Sequence, residues 1–532
     1  MKINTTRILL SALFSTLATT TQAAGTLIYC SEGSPSGFDT PQYTSGTTFD
    51  ASARTVYNGL VGFKRGSTEV IPELAQKWAI SEDGLEYTFH LRRGVKFHTT
   101  RFFTPTREFK ADDVVYTFQR LMDKNHPFRK AYPAEFPYFT DMGMDKNLKS
   151  VEKVDDYTVK FTLNEVDAPF LQNMAMSFAV IFSQEYMEKL LKEGKQELIN
   201  QQPLGTGPFV FDRYQKDAQI RFKANQDYWD KEDGPKVDNL IFAITKDPSV
   251  RAQKLKAGEC HVISHPLPAD VARLKQDPNL KVLSNPGFNV GSIYYNTEKE
   301  LLKKPQVRVA LDLAINKPAI IKAVYGEQGV LAHGPMPTTQ WSHDDTLKSR
   351  PQDIEKAKTL LKEAGYPNGF KMTLWSLPVA RPYNPNGRLM AEMIQADWAQ
   401  IGVKVNILTY EWGEYLKRVQ KGEHDAVMMG WTGDNGDPDN WLGNLLSCNS
   451  VGGSNNSRFC YKPFDDLIVK AKRVTDTQER TRLYKEAQKI FHEQMPMSPI
   501  GTSIVNVPMT TKVEGFKISP FGMFQFNGVS LK

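Results

Sequence analysis

Residues 388–431 read RLMAEMIQADWAQIGVKVNILTYEWGEYLKRVQKGEHDAVMMGW. Met390, Met393, Ile394 and Ile401 recur at the spacing that places them on one side of a helix. Val403 to Tyr410 (VKVNILTY) follows with the alternation of a strand. Asp425 to Trp431 (DAVMMGW) is short and mostly apolar, as a buried strand is. The pattern extends upstream. Ile354, Ala357, Leu360, Leu361 and Ala364 share a helical face, and Gly365 and Pro367 end that helix in the usual order. Helix–strand alternation of this kind predicts an α/β domain. Ligands of open α/β sheets sit beyond the carboxyl ends of the strands, so the loop after Trp431 is the first candidate site.

Nearer the amino terminus the pattern changes. Residues 74–120 read as compact α+β. Tyr87 to Leu91 alternates like a strand, Gly94 turns, and Val95-Lys96-Phe97 resumes the alternation. Ala111-Asp112-Asp113-Val114 opens a helix whose acids suit the positive end of the helix dipole. Tyr157 to Leu163 is a further strand after an Asp155-Asp156 turn. No internal repeat or low-complexity tract interrupts the chain.

The first 24 residues stand apart from this fold. Lys2 and Arg7 precede the apolar stretch Ile8 to Thr20, and Thr21-Gln22-Ala23-Ala24 offers a cleavage site. This is the grammar of a secretory signal peptide. No cysteine follows the cleavage site, which argues against a lipid anchor, and no later segment is apolar enough to span a bilayer. Basic and acidic residues number 66 and 60, a balance too even to argue for nucleic acid.

Four cysteines in a secreted chain favour disulfides, with three connectivities open. Cys448 and Cys460 bracket a Gly-, Ser- and Asn-rich loop that suits a local clip, worth roughly 3 kcal/mol by loop entropy. Cys30 would then pair with Cys260. Free buried thiols are the alternative.

Catalytic signatures are absent. The chain lacks HExxH, a GxSxG elbow, a phosphate-binding GxxxxGK[ST] loop and CxxC, so no metal, cofactor or enzymatic activity is implied. Gly205-Thr206-Gly207-Pro208 lacks the third glycine of a dinucleotide loop and reads as a tight turn. Gly430 to Asn440 (GWTGDNGDPDN) packs three acids into six residues, but the spacing does not match a calcium loop.

Residues 74–120, together with Pro203 to Phe209 (PLGTGPF), Asn296, Val307 to Lys317 (VRVALDLAINK) and Ala357 to Gly365 (AKTLLKEAG), carry a resemblance that spans the chain after its leader. In that order they resemble the extracellular solute-binding family that serves peptide and nickel ABC importers. Tyr29 to Ser34 (YCSEGS), Thr44 to Thr47 (TSGT), Arg381 to Asn386 (RPYNPN), Thr409 to Lys417 (TYEWGEYLK) and Met428 to Asn440 (MMGWTGDNGDPDN) are most similar to its dipeptide-binding members. The resemblance implies an α/β, two-lobed periplasmic-binding-protein fold of the large peptide-binding subclass, hinged and carrying an extra domain. It places a discontinuous first domain in 25–65, 200–285 and 505–532, the extra domain in 66–199 and the second ligand-binding lobe in 286–504. It also supports the pairs Cys30–Cys260 and Cys448–Cys460. The implied partners are a dipeptide and an inner-membrane ABC permease, for a monomer in the periplasm.

By the same resemblance Asp434 matches the acid that holds the peptide ammonium, and Arg381 the base that holds its carboxylate. Thr44, Ser45 and Gly46 match the segment that contacts the peptide backbone. Pro382, Tyr383, Trp431, Thr432 and Gly433 match lining residues, with Trp412 as a wall of the side-chain pocket. The chemistry suits a dipeptide, a zwitterion whose charges must both be paired once water is removed. An acid and a planar guanidinium, held roughly 7 Å apart, would measure its length and reject a longer peptide by leaving a charge unpaired. Haem, glutathione or 5-aminolevulinate is the alternative ligand, because His98-Thr99-Thr100 is closer to relatives that bind such molecules.

Overall fold

A computed structural model describes residues 25–532; the leader lies outside the described residues. One strand organises the whole molecule. Met497–Thr510 runs for 14 residues. Its distal half pairs antiparallel with Leu280–Pro286, from Leu280 opposite Thr510 to Pro286 opposite Ile504. Its proximal half pairs with Asn289–Tyr295, from Gly291 opposite Gly501 to Tyr294 opposite Met497. The two halves belong to different apolar cores. Residues between Leu27 and Val262, joined by Val507 to Val529, form one; residues between Phe288 and Ile500 form the other. The chain therefore crosses between cores at 286–289 and again at 501–504. Gly287 N donates to Ser503 O at 2.8 Å, and Asn289 Oδ1 accepts from Ser503 N at 3.1 Å. These bonds tie the two crossings side by side.

Around that strand the sheet continues in both directions. On one side Thr26–Ser31 runs parallel to Asn239–Ile244 and to Val262–Ile263. On the other, Lys371–Trp375 runs parallel to Lys404–Leu408 and to Ala426–Thr432. The helix Ile354–Glu363 leads into Lys371–Trp375, and Gly387–Ala399 connects that strand to Lys404–Leu408; apolar spacing predicts both helices. Ala426–Thr432 lies between Asn289–Tyr295 and Lys371–Trp375, which is why its run is apolar on both faces.

A separate four-stranded antiparallel sheet takes the order Ala75–Ile80, Glu86–Leu91, Thr158–Leu163, Leu148–Asp155. The expected strand at Val95-Lys96-Phe97 does not form. Gly94 takes φ of 73° and turns the chain out of the sheet. Val95 and Phe97 still alternate into the core, so their spacing reports burial and not pairing. The next residue, His98, is buried, donates its amide to Gly205 O at 2.8 Å and sets Nε2 2.9 Å from Gly207 O. Burial pushes its pKa down to about 4, so the ring is neutral.

The two disulfides join Cys30 to Cys260 and Cys448 to Cys460. Among the described residues no cysteine is free, and no helix is long and apolar enough to cross a membrane.

Gly205 and Gly207 do not serve a tight turn. Neither has a positive φ. Instead the segment lies against the backbone of Thr55 and Val56, with Gly207 N donating to Val56 O at 2.8 Å. A Cβ on Gly205 would sit 2.2 Å from Val56 O, and one on Gly207 2.5 Å from the Val56 carbonyl carbon. Backbone cannot yield as a side-chain tip can. Gly207→Ala should therefore cost about 1–3 kcal/mol, as overpacking does, and lower the Tm by several degrees. Gly334→Ala, where φ is not positive and a Cβ meets nothing within 4 Å, should leave the Tm unchanged or slightly higher, as an unstrained Gly-to-Ala change does. Equal effects would refute the close-approach account.

Candidate ligand cleft

The strand Ala426–Thr432 ends in a loop that leads into the helix Asp439–Leu446. Gly433 N donates to Phe288 O at 2.9 Å, and a Cβ there would lie 2.2 Å from the Phe288 ring. Asn440 scaffolds the loop. Its Oδ1 accepts from Trp431 Nε1 at 2.9 Å and from Asp434 N at 3.0 Å.

The three acids of the loop have different partners. Asp437 receives both guanidinium arms of buried Arg480, each at 2.8 Å. Asp439 lies 3.2 Å from Lys472 Nζ. Asp434 has no cation among the described residues. Its carboxylate accepts only from Tyr138 Oη at 2.8 Å and Asn440 Nδ2 at 3.2 Å. Two acids are thus committed to holding the loop, and the third keeps acceptor capacity to spare. Asp434 is half-buried by accessible area, but protein packs densely around its carboxyl. Burial pushes its pKa up to about 7, against the hydrogen bonds from Tyr138 and Asn440. A buried carboxylate without a cation carries that penalty.

Arg381 is the complementary case. Its guanidinium lies over the Trp412 ring, 4.2 Å from the centroid, and no carboxylate pairs with it among the described residues. Trp412 stacks on Tyr415 at 5.8 Å, and Tyr415 Oη donates to Met428 O at 2.8 Å. The Arg381 turn is closed by reciprocal backbone bonds with Asn384 at 2.9 and 3.0 Å. Tyr383 then packs on paired strands where only glycine leaves room. A Cβ on Gly430 would lie 2.2 Å from its ring, and one on Gly291 2.2 Å from its carbonyl oxygen. Gly291 and Gly430 are opposite one another in register. Tyr383 thereby fixes the Arg381 turn against Gly430, just upstream of the loop that carries Asp434. Pro382 beside it is exposed and Thr432 half-buried.

Thr44, Ser45 and Gly46 stand on the other lobe, at the start of the helix Gly46–Ala51. Ser45 Oγ donates to Thr48 Oγ1 at 3.0 Å. A Cβ on Gly46 would meet nothing within 4 Å, so this backbone faces open space. Phe49 of the same helix lies 6.0 Å from the Tyr138 ring, and Tyr138 reaches across to Asp434. The lobes are closed on one another at this point. Asn435 Nδ2 also donates across to Asn173 Oδ1 at 2.7 Å, and Gly436, at φ 74°, passes against Thr68.

Tyr138, Asn440, Arg480 and Lys472 were not evident from sequence. Tyr138 is 296 positions from its partner, and no local pattern marks such a pair. His98 is buried on the first lobe and touches none of these residues.

The model for bacterial extracellular solute-binding proteins, family 5 middle, matches residues 69–453. Di/tripeptide-binding protein 1 of Pseudomonas aeruginosa (strain UCBPP-PA14) is 61% identical over 96% of this chain and 94% of its own. Heme-binding protein A of Haemophilus influenzae is 49% identical over 95% of this chain and 92% of its own. Among solved structures, a dipeptide-binding protein from Pseudoalteromonas sp. SM9913 in complex with Met-Leu superposes with a TM-score of 0.87. It shares 39% identity and covers 95% of this chain and all of its own, 100%.

The partition of the acids gives a stability test. Asp434→Asn removes a carboxyl whose raised pKa weakens the closed fold progressively as pH rises from the ordinary carboxylate range through about 7. At pH 8 and without ligand it should leave the Tm unchanged or raise it. Asp437→Asn strips buried Arg480 of its partner and should cost about 3–5 kcal/mol. Thermal unfolding of both variants checks this. A comparable loss in each would refute the division.

Proposed function

The chain belongs to the bacterial extracellular solute-binding proteins, family 5, and on that premise we propose that it captures dipeptides by their two free termini for an ABC importer. The carrying observation is a pair of charges without an ion-pair partner among the described residues, Asp434 and Arg381, held on one lobe near the end of the strand Ala426–Thr432. The names of its relatives support the ligand class. A dipeptide's ammonium would take the free acceptor capacity of Asp434. Its carboxylate would lie in the plane of the Arg381 guanidinium, whose face Trp412 already covers; such charge-assisted bonds contribute roughly 1.5–3 kcal/mol each. Thr44, Ser45 and Gly46 would offer backbone groups that ignore side-chain identity. Pro382, Tyr383, Trp412, Trp431, Thr432 and Gly433 would line the remainder.

The same charges account for coupling between capture and closure. Closing on an empty cleft buries Asp434 unpaired, which raises its pKa. Closing on an ammonium removes that penalty, so the ligand shifts the population by its differential affinity for the closed form. We read the chain as three domains, with residues 66–199 as an added domain on the first lobe. It would act as a periplasmic monomer that delivers its cargo to an inner-membrane permease and does no chemistry on it.

Calorimetry on protein unfolded and refolded to strip endogenous ligand tests the reading. Ala-Phe should bind one-to-one and unaltered, and N-acetyl-Ala-Phe should not bind. Asp434→Asn should weaken Ala-Phe by about 30-fold or more, since truncating one member of a buried charge pair costs about 2–5 kcal/mol. Saturable binding of haem, with no heat from Ala-Phe, would replace the dipeptide. pH supplies a second check. A carboxyl raised in the closed state favours that state at low pH and loses the advantage as pH rises through about 7. The ligand-free protein should become more compact by small-angle scattering between pH 8 and 5.5. The Ala-Phe complex should not change.

A further inference from the structure

The ligand loop is tied to the opposite lobe by a second set of contacts that includes none of the residues assigned to the peptide. Lys472 is on the helix Lys462–Arg473 of the second lobe. Its Nζ lies 3.2 Å from Asp439 Oδ2 in the ligand loop. The same ammonium donates to Met142 O of the first lobe at 3.3 Å and lies 3.9 Å from Asp167 Oδ1. The backbone is engaged as well, with Lys472 O accepting from Ala168 N at 2.8 Å. Arg473 pairs with Glu165 beside it, and Asn444 Nδ2 reaches Met142 Sδ at 3.4 Å.

Asp167 gives this arrangement a direction. It is 2% exposed, and its Oδ1 has no hydrogen bond. With the lobes apart that carboxyl would be hydrated. With them together it loses water, and Lys472 is the cation within ion-pair distance of it. Burying an acid this way is unfavourable unless a cation arrives with the closing surface. Lys472 brings that cation and is already anchored to Asp439, five residues from Asp434 on the same loop.

We propose that Lys472 is a positioning residue that latches the lobes shut, joining the ammonium-binding loop through Asp439 to Met142, Asp167 and Ala168 of the opposite lobe without touching the ligand. The proposal rests on the reading that the lobes close over a ligand, and deepens it. It makes residence time a property of this contact, because opening must break it and encounter need not form it. Mutants of one interface generally differ in off-rate in the same way.

The test uses the whole protein and two readouts. Stopped-flow tryptophan fluorescence with Ala-Phe should show Lys472→Met dissociating about tenfold faster, from the loss of one charged hydrogen bond. Its association rate should stay within about twofold of the original. Lys472→Arg, which keeps the charge, should recover most of the difference. An off-rate unchanged in Lys472→Met overturns the latch. Hydrogen exchange at the Ala168 amide is the second readout. In ligand-free protein this amide should exchange faster in Lys472→Met than in the parent chain. Equal rates overturn the latch whether or not Ala-Phe binds. Calorimetric silence toward Ala-Phe in the parent chain would instead overturn the ligand assignment. If Lys472→Met does not fold, Ala-Phe should still slow Ala168 exchange in the parent chain, and exchange indifferent to bound Ala-Phe would overturn the proposal.

Discussion

A carboxylate enclosed by protein must find a cation or give up its charge, and the cleft is organised around that constraint. Within the loop 434–439 it is met in three ways. Arg480 grips Asp437 with two parallel bonds, and Lys472 neutralises Asp439. Asp434 is left with a phenol and an amide, and its pKa rises accordingly. Without the first two pairings the loop would carry three competing acids. With them, one carboxylate stays poorly satisfied in the closed protein, which is the feature the proposed capture of an ammonium rests on. An acid-rich loop that invites a calcium reading is therefore a scaffold of ion pairs with a single vacancy in its charge balance.

The hinge follows from a simpler economy of chain. A strand of 14 residues serves two sheets, and its partner changes where Leu280–Pro286 gives way to Asn289–Tyr295. Backbone bonds, the Asn289 amide and the Ser503 hydroxyl hold the crossing, and Gly329–Leu331 pairs with it over Gly501 to Ser503. The two apolar cores stay separate there, with Phe521 packed against both, so a turn of one relative to the other disturbs a single shared ring and leaves each interior intact. Glycine decides where surfaces meet. Gly291 and Gly430 let Tyr383 lie flat on paired strands, and Gly205 and Gly207 let a loop press against Val56.

Much of the local structure was legible in the sequence. Apolar spacing gave the helices near 354–363 and 387–399, and the continuous apolar run gave the buried strand ending at Thr432. The rule that ligands sit beyond strand ends singled out the loop containing Asp434. Where local reading failed, the cause was tertiary. Val95 and Phe97 alternate without a partner strand because burial and pairing leave the same pattern in a sequence. The glycines at 205 and 207 looked like a turn because a turn and a close approach both exclude a Cβ.

The sequence by itself determined most of the element types and the α/β character of the second lobe, while Asp434 and Arg381 became candidates only through the resemblance of their motifs to a known family. The elements follow from periodicity and residue chemistry, which act over a few positions. Only the tertiary structure decided which acids are spent and which is spare, and which residues of the first lobe face them. Tyr138, Asn173 and Lys472 gain their roles from partners brought close by the closure of two lobes. Coulomb attraction and desolvation depend on distance in space and are blind to distance along the chain, so no local pattern could have announced them.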